Sequence, residues 1–398
     1  MYDVVIIGGG IIGLNIAKAL KKRYSKLKIV LIEKEKAVAM HSSGRNSGVL
    51  HAGFYYTADS LKAKFTKEGN RRLKEFCKEN DLEINECQKV VVAQNEAELE
   101  GLEELKKRGD KNGVLLEWLD EDELSKLFPE VKTCKKALLS PTTATVDPVK
   151  VTKKFQEIVQ KMGVNVLLNT KYLKKLSDNE ILTNQGTVKY KTLINAAGLY
   201  ADKIAKDFGF GKDFVIIPFK GIYLKDCKNS IPLNTNIYPV PNLKNPFLGV
   251  HFTLTVNNEA KIGPTAIPAF WRENYKGFDN FKKEELLEIL FYETKLFISN
   301  AFGFRDLAFE EIKKYSKSHL VSLAKALVKK DELSFFDKWS KPGIRAQLLD
   351  KRSLELIQDF VVEAKDNSIH VLNAVSPAFT SSIPFSEWIV DKYFLNSS

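Results

Sequence analysis

Apolar and polar positions follow a different period in each successive part of the chain. Val4 to Ile7 are an unbroken β-branched run behind Tyr2 and Asp3, the mark of a strand buried on both faces of a parallel sheet. Ile12, Ile16, Ala19 and Leu20 then recur at helical spacing, with Lys18, Lys21 and Lys22 on the other face, which predicts an amphipathic helix. Residues 28–32 read as a second strand, and residues 164–168 and 192–196 as two more that return to the same sheet. Within residues 81–144 a strand at Val90 to Ala93 precedes an acidic helix over residues 96–107, forming a first excursion. Residues 218–267 alternate and are punctuated by Pro232, Pro239, Pro241, Pro246 and Pro264, the pattern of an antiparallel sheet over a pocket. Over residues 282–333 the period turns helical again, through Leu286, Ile289 and Leu290 and later Leu320, Leu323 and Leu327.

Length and charge narrow this further. A chain of 398 residues makes two or three domains at ~150 residues each. Its 44% hydrophobic and 28% charged residues exclude disorder and fibrous repeats. The net charge of +11 favours anionic substrates or surfaces. Its lysines, including Lys21, Lys22, Lys26 and Lys28 and again Lys313, Lys314 and Lys317, read as a solvated surface. Cys77, Cys87, Cys134 and Cys227 include no C-x-x-C pair, so no metal site is expected and a reduced, cytoplasmic chain fits. Met1, Tyr2 and Asp3 lack a basic signal-peptide start, and no uninterrupted apolar run reaches membrane-spanning length.

The first strand runs directly into Gly8, Gly10 and Gly13, a G-x-G-x-x-G pattern, and the second ends at Glu33, twenty residues past Gly13. Strand, glycines, helix, strand and terminal carboxylate in this register form a dinucleotide site: backbone N–H groups at a helix N-terminus for the pyrophosphate, an acid for the ribose hydroxyls. The next segment, residues 41–53, carries Ser42, Ser43, Gly44, Arg45, Asn46, Ser47 and Gly48 in close succession. Such density of small and hydroxyl-bearing residues lets backbone N–H groups approach a ligand bulkier than nicotinamide. No second G-x-G-x-x-G follows, so one dinucleotide must suffice.

Five histidines are candidates for acid–base work. His319 sits among lysines and reads as surface, His370 opens an apolar strand, and His41 lies in the loop. His251 alternates with Gly249 and Thr253, so the three are expected to face one way along a strand. In Gly343-Ile344-Arg345 the planar guanidinium suits bidentate capture of a carboxylate, and Lys220 supplies a second cation. The last candidate segment, residues 373–383, reads as a loop entering a final helix whose N–H groups would favour an anionic ligand.

Gly8 to Gly13, the Ser43-Gly44-Arg45-Asn46-Ser47-Gly48-Val49-Leu50-His51-Ala52-Gly53 run and Leu193-Ile194-Asn195-Ala196-Ala197-Gly198 resemble the FAD-dependent D-amino-acid oxidase superfamily. His51-Ala52-Gly53 with Tyr55-Tyr56, Leu248-Gly249-Val250-His251-Phe252-Thr253, Gly343-Ile344-Arg345-Ala346-Gln347, and His370-Val371-Leu372-Asn373-Ala374 leading to Ser376-Pro377 resemble, more narrowly, its L-2-hydroxyglutarate oxidase/dehydrogenase family. The chain departs from that family at Lys220-Gly221-Ile222-Tyr223, where Arg-Gly-Glu-Tyr is more usual, and at Phe379, where small residues stand.

The resemblance implies an α/β fold: a discontinuous Rossmann-like FAD-binding domain over residues 1–80, 145–215 and 341–398, and a mixed or antiparallel β-sheet substrate domain with a helical insertion over residues 81–144 and 216–340. It implies FAD held by Gly8, Gly10, Gly13, Glu33, Ser42, Ser43, Arg45, Asn46, Ser47, Gly48, Ala197, Gly198, Ser376, Pro377, Ala378, Thr380 and Ser381. It places His51, His251, Arg345, Lys220 and Tyr56 at the reacting centre, with His51 and His251 as alternative bases. The implied reaction is oxidation of a small anionic L-2-hydroxy acid by hydride transfer to flavin N5, electrons passing to oxygen or a quinone. An amine or amino-acid oxidase and a glycerol-3-phosphate dehydrogenase of the same superfamily are the alternatives. A flavin-dependent RNA-modifying protein is a third, disfavoured because no basic, aromatic-studded stripe is present; nucleic acid is not an expected partner. The helical stretch with Leu286, Ile289, Leu290, Phe297 and Ile298, flanked by lysines, raises peripheral contact with the cytoplasmic face of a membrane against the plainer reading of a core helix.

Overall fold

The computed structural model describes residues 1–241 and 249–394; Pro246 and Leu248, expected in the antiparallel segment, lie outside them. The chain divides into two units, Met1–Asn46, Pro148–Pro218 and Arg345–Ser398 in the first, Ser47–Asp147 and Phe219–Ile344 in the second.

In the first unit the predicted β-branched run is the strand Tyr2–Ile7, central in the parallel part of an eight-stranded mixed sheet, to which Tyr172–Ser177, Glu180–Thr183 and Val361–Lys365 add antiparallel strands. Ile29–Ile32 and then Asn165–Leu167 lie on one side of it, Gly186–Asn195 and then Ser368–Asn373 on the other. Val4, Val5 and Ile6 are wholly buried, which is why alternation is absent there. The helix Ile11–Arg23 packs beside the helices Pro148–Lys161 and Ala378–Ile389.

The second unit is built on an eight-stranded sheet in the order Lys338–Trp339, Leu224–Lys225, Ala260–Gly263, His251–Leu254, Asn236–Pro239, Lys89–Val92, Lys136–Ser140, Glu117–Asp120. It is antiparallel except where Asn236–Pro239 runs parallel to Lys89–Val92. Register sorts its residues onto two faces. One face carries Val90, Leu139, Ile237, Phe252 and Ile262 and is covered by Leu320, Ala324, Leu327 and Phe336 from the helical insertion. Each such side chain contributes about 1.5–3 kcal/mol when fully buried. The opposite face carries Lys89, Tyr238, His251, Thr253 and Lys261, all buried.

The helical stretch forms Lys283–Ser299, Phe304–Lys313 and Lys317–Lys325. Among the described residues, no helix is long and apolar enough to cross a membrane.

Several expectations need correction. Residues 47–80, expected with the dinucleotide unit, belong to the second: Val49–Leu50 pairs with Ala144–Val146, and the Asn70 and Asn112 amides donate to the carbonyls of Leu50 and Gly53. Lys314, expected on the surface, is buried in an ion pair with Glu311, whose carboxylate also accepts the Ala266 N–H. His319 is half-buried rather than on the surface. Gly249 does not share the strand face of His251, since it precedes the strand with φ +74°.

Candidate functional site

In the first unit the glycines make a cradle at a helix N-terminus. Gly8 has φ +108° and a Cβ there would collide with the Ala196 carbonyl; one at Gly13 would collide with the Gly8 carbonyl. Strand and helix therefore meet at a separation that only glycine permits. Gly10 itself gives the helix start no side-chain cap and the first turn holds no acid, so that beyond the Ile11 N–H its positive end can face an anion. Ser43 Oγ accepts the Ile11 N–H at 2.9 Å, tying the serine-rich loop to this turn.

Glu33 closes the neighbouring strand. Its Oε2 accepts the Gly9 N–H at 2.8 Å and its Oε1 the Glu35 N–H at 2.9 Å. Each oxygen keeps lone-pair capacity for a ribose hydroxyl. Arg45 and Asn46 hold the loop itself, through the Met40 carbonyl and the Ser42 and Ser43 carbonyls. His41 serves the same end. Its Nε2 lies 2.9 Å from Glu35, and that pairing is the largest cause holding the Glu35 carboxyl down to about 2.

Asn195 ends its strand by accepting the Ala197 N–H and donating to the Ala201 carbonyl, which shapes the Ala197-Gly198 turn. Its amide also lies 3.1 Å from Nδ1 of His370, a fully buried histidine whose pKa burial pushes down to about 3. His370 is thus a neutral packing residue behind this turn. The final helix begins at Ala378 behind Pro377, without a side-chain cap, and buries Thr380 and Ser381; Ser376 stays exposed and Phe379 half-buried.

In the second unit His51 follows the strand Val49–Leu50 and is buried, with Nδ1 3.4 Å from Nζ of Lys89. Burial, then the neighbouring charges of Lys89 and His251, hold its pKa well below the ordinary imidazole range. His251 stacks on Tyr238 with ring centroids 3.7 Å apart and 16° between planes. Its Nδ1 lies 3.1 Å from the Gly249 carbonyl, which assigns the proton to Nδ1 and leaves Nε2 as an acceptor. Tyr55 is buried and Tyr56 half-buried, and burial raises both phenols so that they stay protonated.

Lys220 lies on Phe214–Gly221, opposite Ile267, with Nζ donating to Asn274 Oδ1 at 3.2 Å and burial lowering its pKa. Ser47 and Gly48 fall in this second unit, and the Ser47 carbonyl accepts from Lys261 Nζ at 3.4 Å. Arg345 is half-buried on Gly343–Asp350, at the start of the first unit's last segment.

The structure thus places Gly8, Gly10, Gly13 and Ser43 at one helix N-terminus with Glu33 at the adjoining strand end, places residues 376–381 at the start of a second helix, and brings His51 and His251 to one buried face. Sequence reasoning missed Lys89, Tyr238 and Lys261 on that face. Lys89 is fully buried and pushed by burial down to about 7, and Lys261 by burial to about 8. The sequence offers only a weak signal, a lysine beside apolar strand residues in Lys89-Val90-Val91-Val92 and in Ala260-Lys261-Ile262-Gly263, and cross-strand register is needed to put both on one face.

A family model described as FAD dependent oxidoreductase matches residues 3–392. The chain is 37% identical over 399 residues to the L-2-hydroxyglutarate dehydrogenase of Escherichia coli strain K12, covering 98% of this chain and 93% of that one. It is 34% identical over 415 residues to the mitochondrial L-2-hydroxyglutarate dehydrogenase of Homo sapiens, covering 98% and 88%. Among solved structures, L-α-glycerophosphate oxidase from Mycoplasma pneumoniae with FAD bound superposes with a TM-score of 0.73 at 25% identity, covering 98% of this chain and 94% of that one. Glycine oxidase from Geobacillus kaustophilus superposes with the same TM-score at 17% identity, covering 100% and 95%, a likeness of fold.

Proposed function

The chain belongs to the FAD dependent oxidoreductase family and, within it, to the L-2-hydroxyglutarate dehydrogenases, and on that premise we propose that it oxidises L-2-hydroxyglutarate to 2-oxoglutarate. The observation that carries the chemistry is the buried face on which His51, Lys89, Tyr238 and His251 meet. The glycine cradle, with its acid-free helix start and Glu33, fits FAD: Gly8, Gly10, Gly13 and Glu33 would hold the adenosine and pyrophosphate. Ser42, Ser43, Ser47, Gly48, Ala197, Gly198 and residues 376–381 would hold the remainder, with Arg45 and Asn46 shaping the loop. FAD supplies the acceptor for the hydride that leaves the hydroxyl-bearing carbon.

The chain's own residues supply the rest. His51, kept neutral by burial, takes the hydroxyl proton. His251, fixed by its stack and by the Gly249 carbonyl, and the protonated Tyr56 orient the reacting group. Arg345 binds the carboxylate next to the reacting carbon and Lys220 the distal one.

Anaerobic mixing with L-2-hydroxyglutarate, glycerol-3-phosphate and amino acids, watching the flavin absorbance, tests the reading. Bleaching by the hydroxy diacid alone is expected; bleaching only by one of the others moves the assignment to that substrate class. Glu33→Ala is expected to weaken FAD retention by about 1.5–3 kcal/mol, by loss of charge-assisted bonds, measured as a dissociation constant; unchanged retention would leave Glu33 only its two backbone contacts.

The electron acceptor is argued from Lys283–Ser299. Of the residues expected on its apolar stripe, Ile289 is fully buried, whereas Leu290, Phe297 and Ile298 are exposed. Leu287 and Phe291 are exposed as well, Phe278 stands 83% exposed just before the helix, and Lys276, Lys283 and Lys295 are exposed nearby. One side is thus core and the other an apolar surface with basic neighbours, suited to an anionic bilayer that holds a quinone. The protein is expected to sediment with anionic vesicles at low salt, release at high salt and reduce a quinone faster than oxygen. Absence of vesicle binding with rapid peroxide formation would make oxygen the acceptor.

A further inference from the structure

Lys89 is fully buried, and among the described residues no carboxylate pairs with it. Its strand neighbours are committed elsewhere. Asn236 bonds Cys87 Sγ, the Gln88 carbonyl and the Leu254 N–H, and Ser140 shares a hydrogen bond with Thr143. What surrounds Nζ is the Tyr238 ring at 4.2 Å, the Tyr55 ring at 5.0 Å, the Phe54 ring at 5.6 Å and Nδ1 of His51 at 3.4 Å. The rings favour an ammonium and burial disfavours one, so the group changes charge in the neutral range, with a pKa of about 7.

An ammonium at this distance donates to Nδ1, which puts the imidazole proton on Nε2. A neutral amine accepts from Nδ1–H, which leaves the lone pair on Nε2. His251 is exempt, because the Gly249 carbonyl fixes its Nδ1–H whatever the charge on Lys89. Lys261, on the same face but three strands away, is pushed by burial to about 8 and donates to the Ser47 carbonyl. Cys87, two residues before its strand, and Tyr55 and Tyr238 on neighbouring segments are all held protonated by burial.

We propose that Lys89 is the positioning residue for His51: its amine sets the tautomer of the imidazole, so that Nε2 can take the substrate's hydroxyl proton only while Lys89 is neutral. This rests on the reading of His51 as the base. In the step, the substrate O–H bond breaks and an Nε2–H bond forms, while the Nδ1–H bond breaks and an Nζ–H bond forms. The hydroxyl proton is thus matched by one on Lys89, and the hydride leaves to FAD. The relay resets once product has left, when the Nε2–H bond breaks with its proton passing to water and the Nδ1–H bond re-forms as Nζ returns its proton.

The test uses holoenzyme labelled with 15N-histidine, without substrate, titrated from pH 5.5 to 9. The expected result is that Nδ1 of His51 passes from acceptor to donor with a midpoint near Lys89's pKa, while His251 keeps one tautomer. In rapid mixing with substrate, wild-type flavin reduction is expected to fall about tenfold per pH unit below the same midpoint. Lys89→Met should lose both the tautomer transition and that limb. Lys89→Arg, permanently charged, should hold His51 with the proton on Nε2 and stay slow at every pH. A single His51 tautomer throughout the wild-type titration, which needs no variant, overturns the proposal, as does an acid limb that persists in Lys89→Met. An intact transition together with normal flavin reduction in His51→Asn supports the tautomer switch and overturns the assignment of His51 as base.

Discussion

In His51→Asn, anaerobic reduction of the bound FAD by L-2-hydroxyglutarate is expected to slow by about 10²- to 10⁴-fold, the usual contribution of a positioned base, while the oxidised flavin spectrum stays that of the wild type. The substitution removes the imidazole nitrogens, and the adjoining Leu50 carbonyl remains held by the Asn70 amide. His251→Asn should cost less, because that ring is committed to the Tyr238 stack and the Gly249 carbonyl. A larger loss in His251→Asn than in His51→Asn would exchange the two roles. Stability supplies an independent check, with a fixed sign. The folded-state pKa of His51 is depressed by burial, so below the ordinary imidazole value of about 6.5 the unfolded chain binds a proton that the folded chain excludes. Unfolding free energy therefore falls as pH drops below that value, by up to about 1.4 kcal/mol per pH unit from this one group. His51→Asn should flatten that slope in denaturant titrations between pH 6 and 4, leaving the like contribution of His370.

Much of the first unit was legible because its signals are local. A strand buried on both faces shows as an apolar run, the turn shows as glycine, and the helix shows as a 3.6-residue period, all within residues 2–23. The limit of local signals appears at residue 47. The segment after Asn46 carries small residues like those expected of a cofactor loop, but its placement is decided by pairing with Ala144–Val146 and by Asn112, distant in sequence. No period within the segment could report those partners. The helix Lys283–Ser299 shows a related limit: its apolar residues cover more than one face, so spacing alone could not say that Ile289 faces the core and Ile298 faces outward.

The candidate site divides in the same way. Gly8 and Gly13 could be placed at the strand-to-helix turn, and Glu33 at the neighbouring strand end, from spacing, because backbone geometry dictates those positions. Lys89 and Lys261 could not, because a lysine at a strand position ordinarily reaches water, and only cross-strand register shows that both sit on one enclosed face with His251 and Tyr238. The same habit misplaced Lys314, whose burial depends on Glu311 one helical turn earlier and on a backbone N–H from residue 266. Buried cations are legible only through their partners, and those partners are set by the tertiary fold.

Arg345→Met is expected to lower kcat/KM for L-2-hydroxyglutarate by an amount equivalent to about 3–5 kcal/mol, the loss that follows when a charge-assisted carboxylate contact is truncated, with the flavin spectrum unchanged. The guanidinium is carried on Gly343–Asp350 between residues that fix the backbone, Ile344 at 2% and Gln347 at 3% exposure, so its removal should leave the strand in place. The reading requires that the loss depend on substrate charge. A 2-hydroxy monoacid, which keeps the carboxylate beside the reacting carbon, should suffer as much as the diacid, whereas an uncharged alcohol analogue should lose little. Lys220→Met should show the complementary pattern. Its ammonium is oriented by Asn274 and partly desolvated, and if it serves the distal carboxylate as proposed, the diacid should lose affinity and the monoacid should not. Equal losses for charged and uncharged substrates in Arg345→Met would show that the guanidinium supports the fold of its strand, and the carboxylate contact would then have to be sought at another buried cation, such as Lys261.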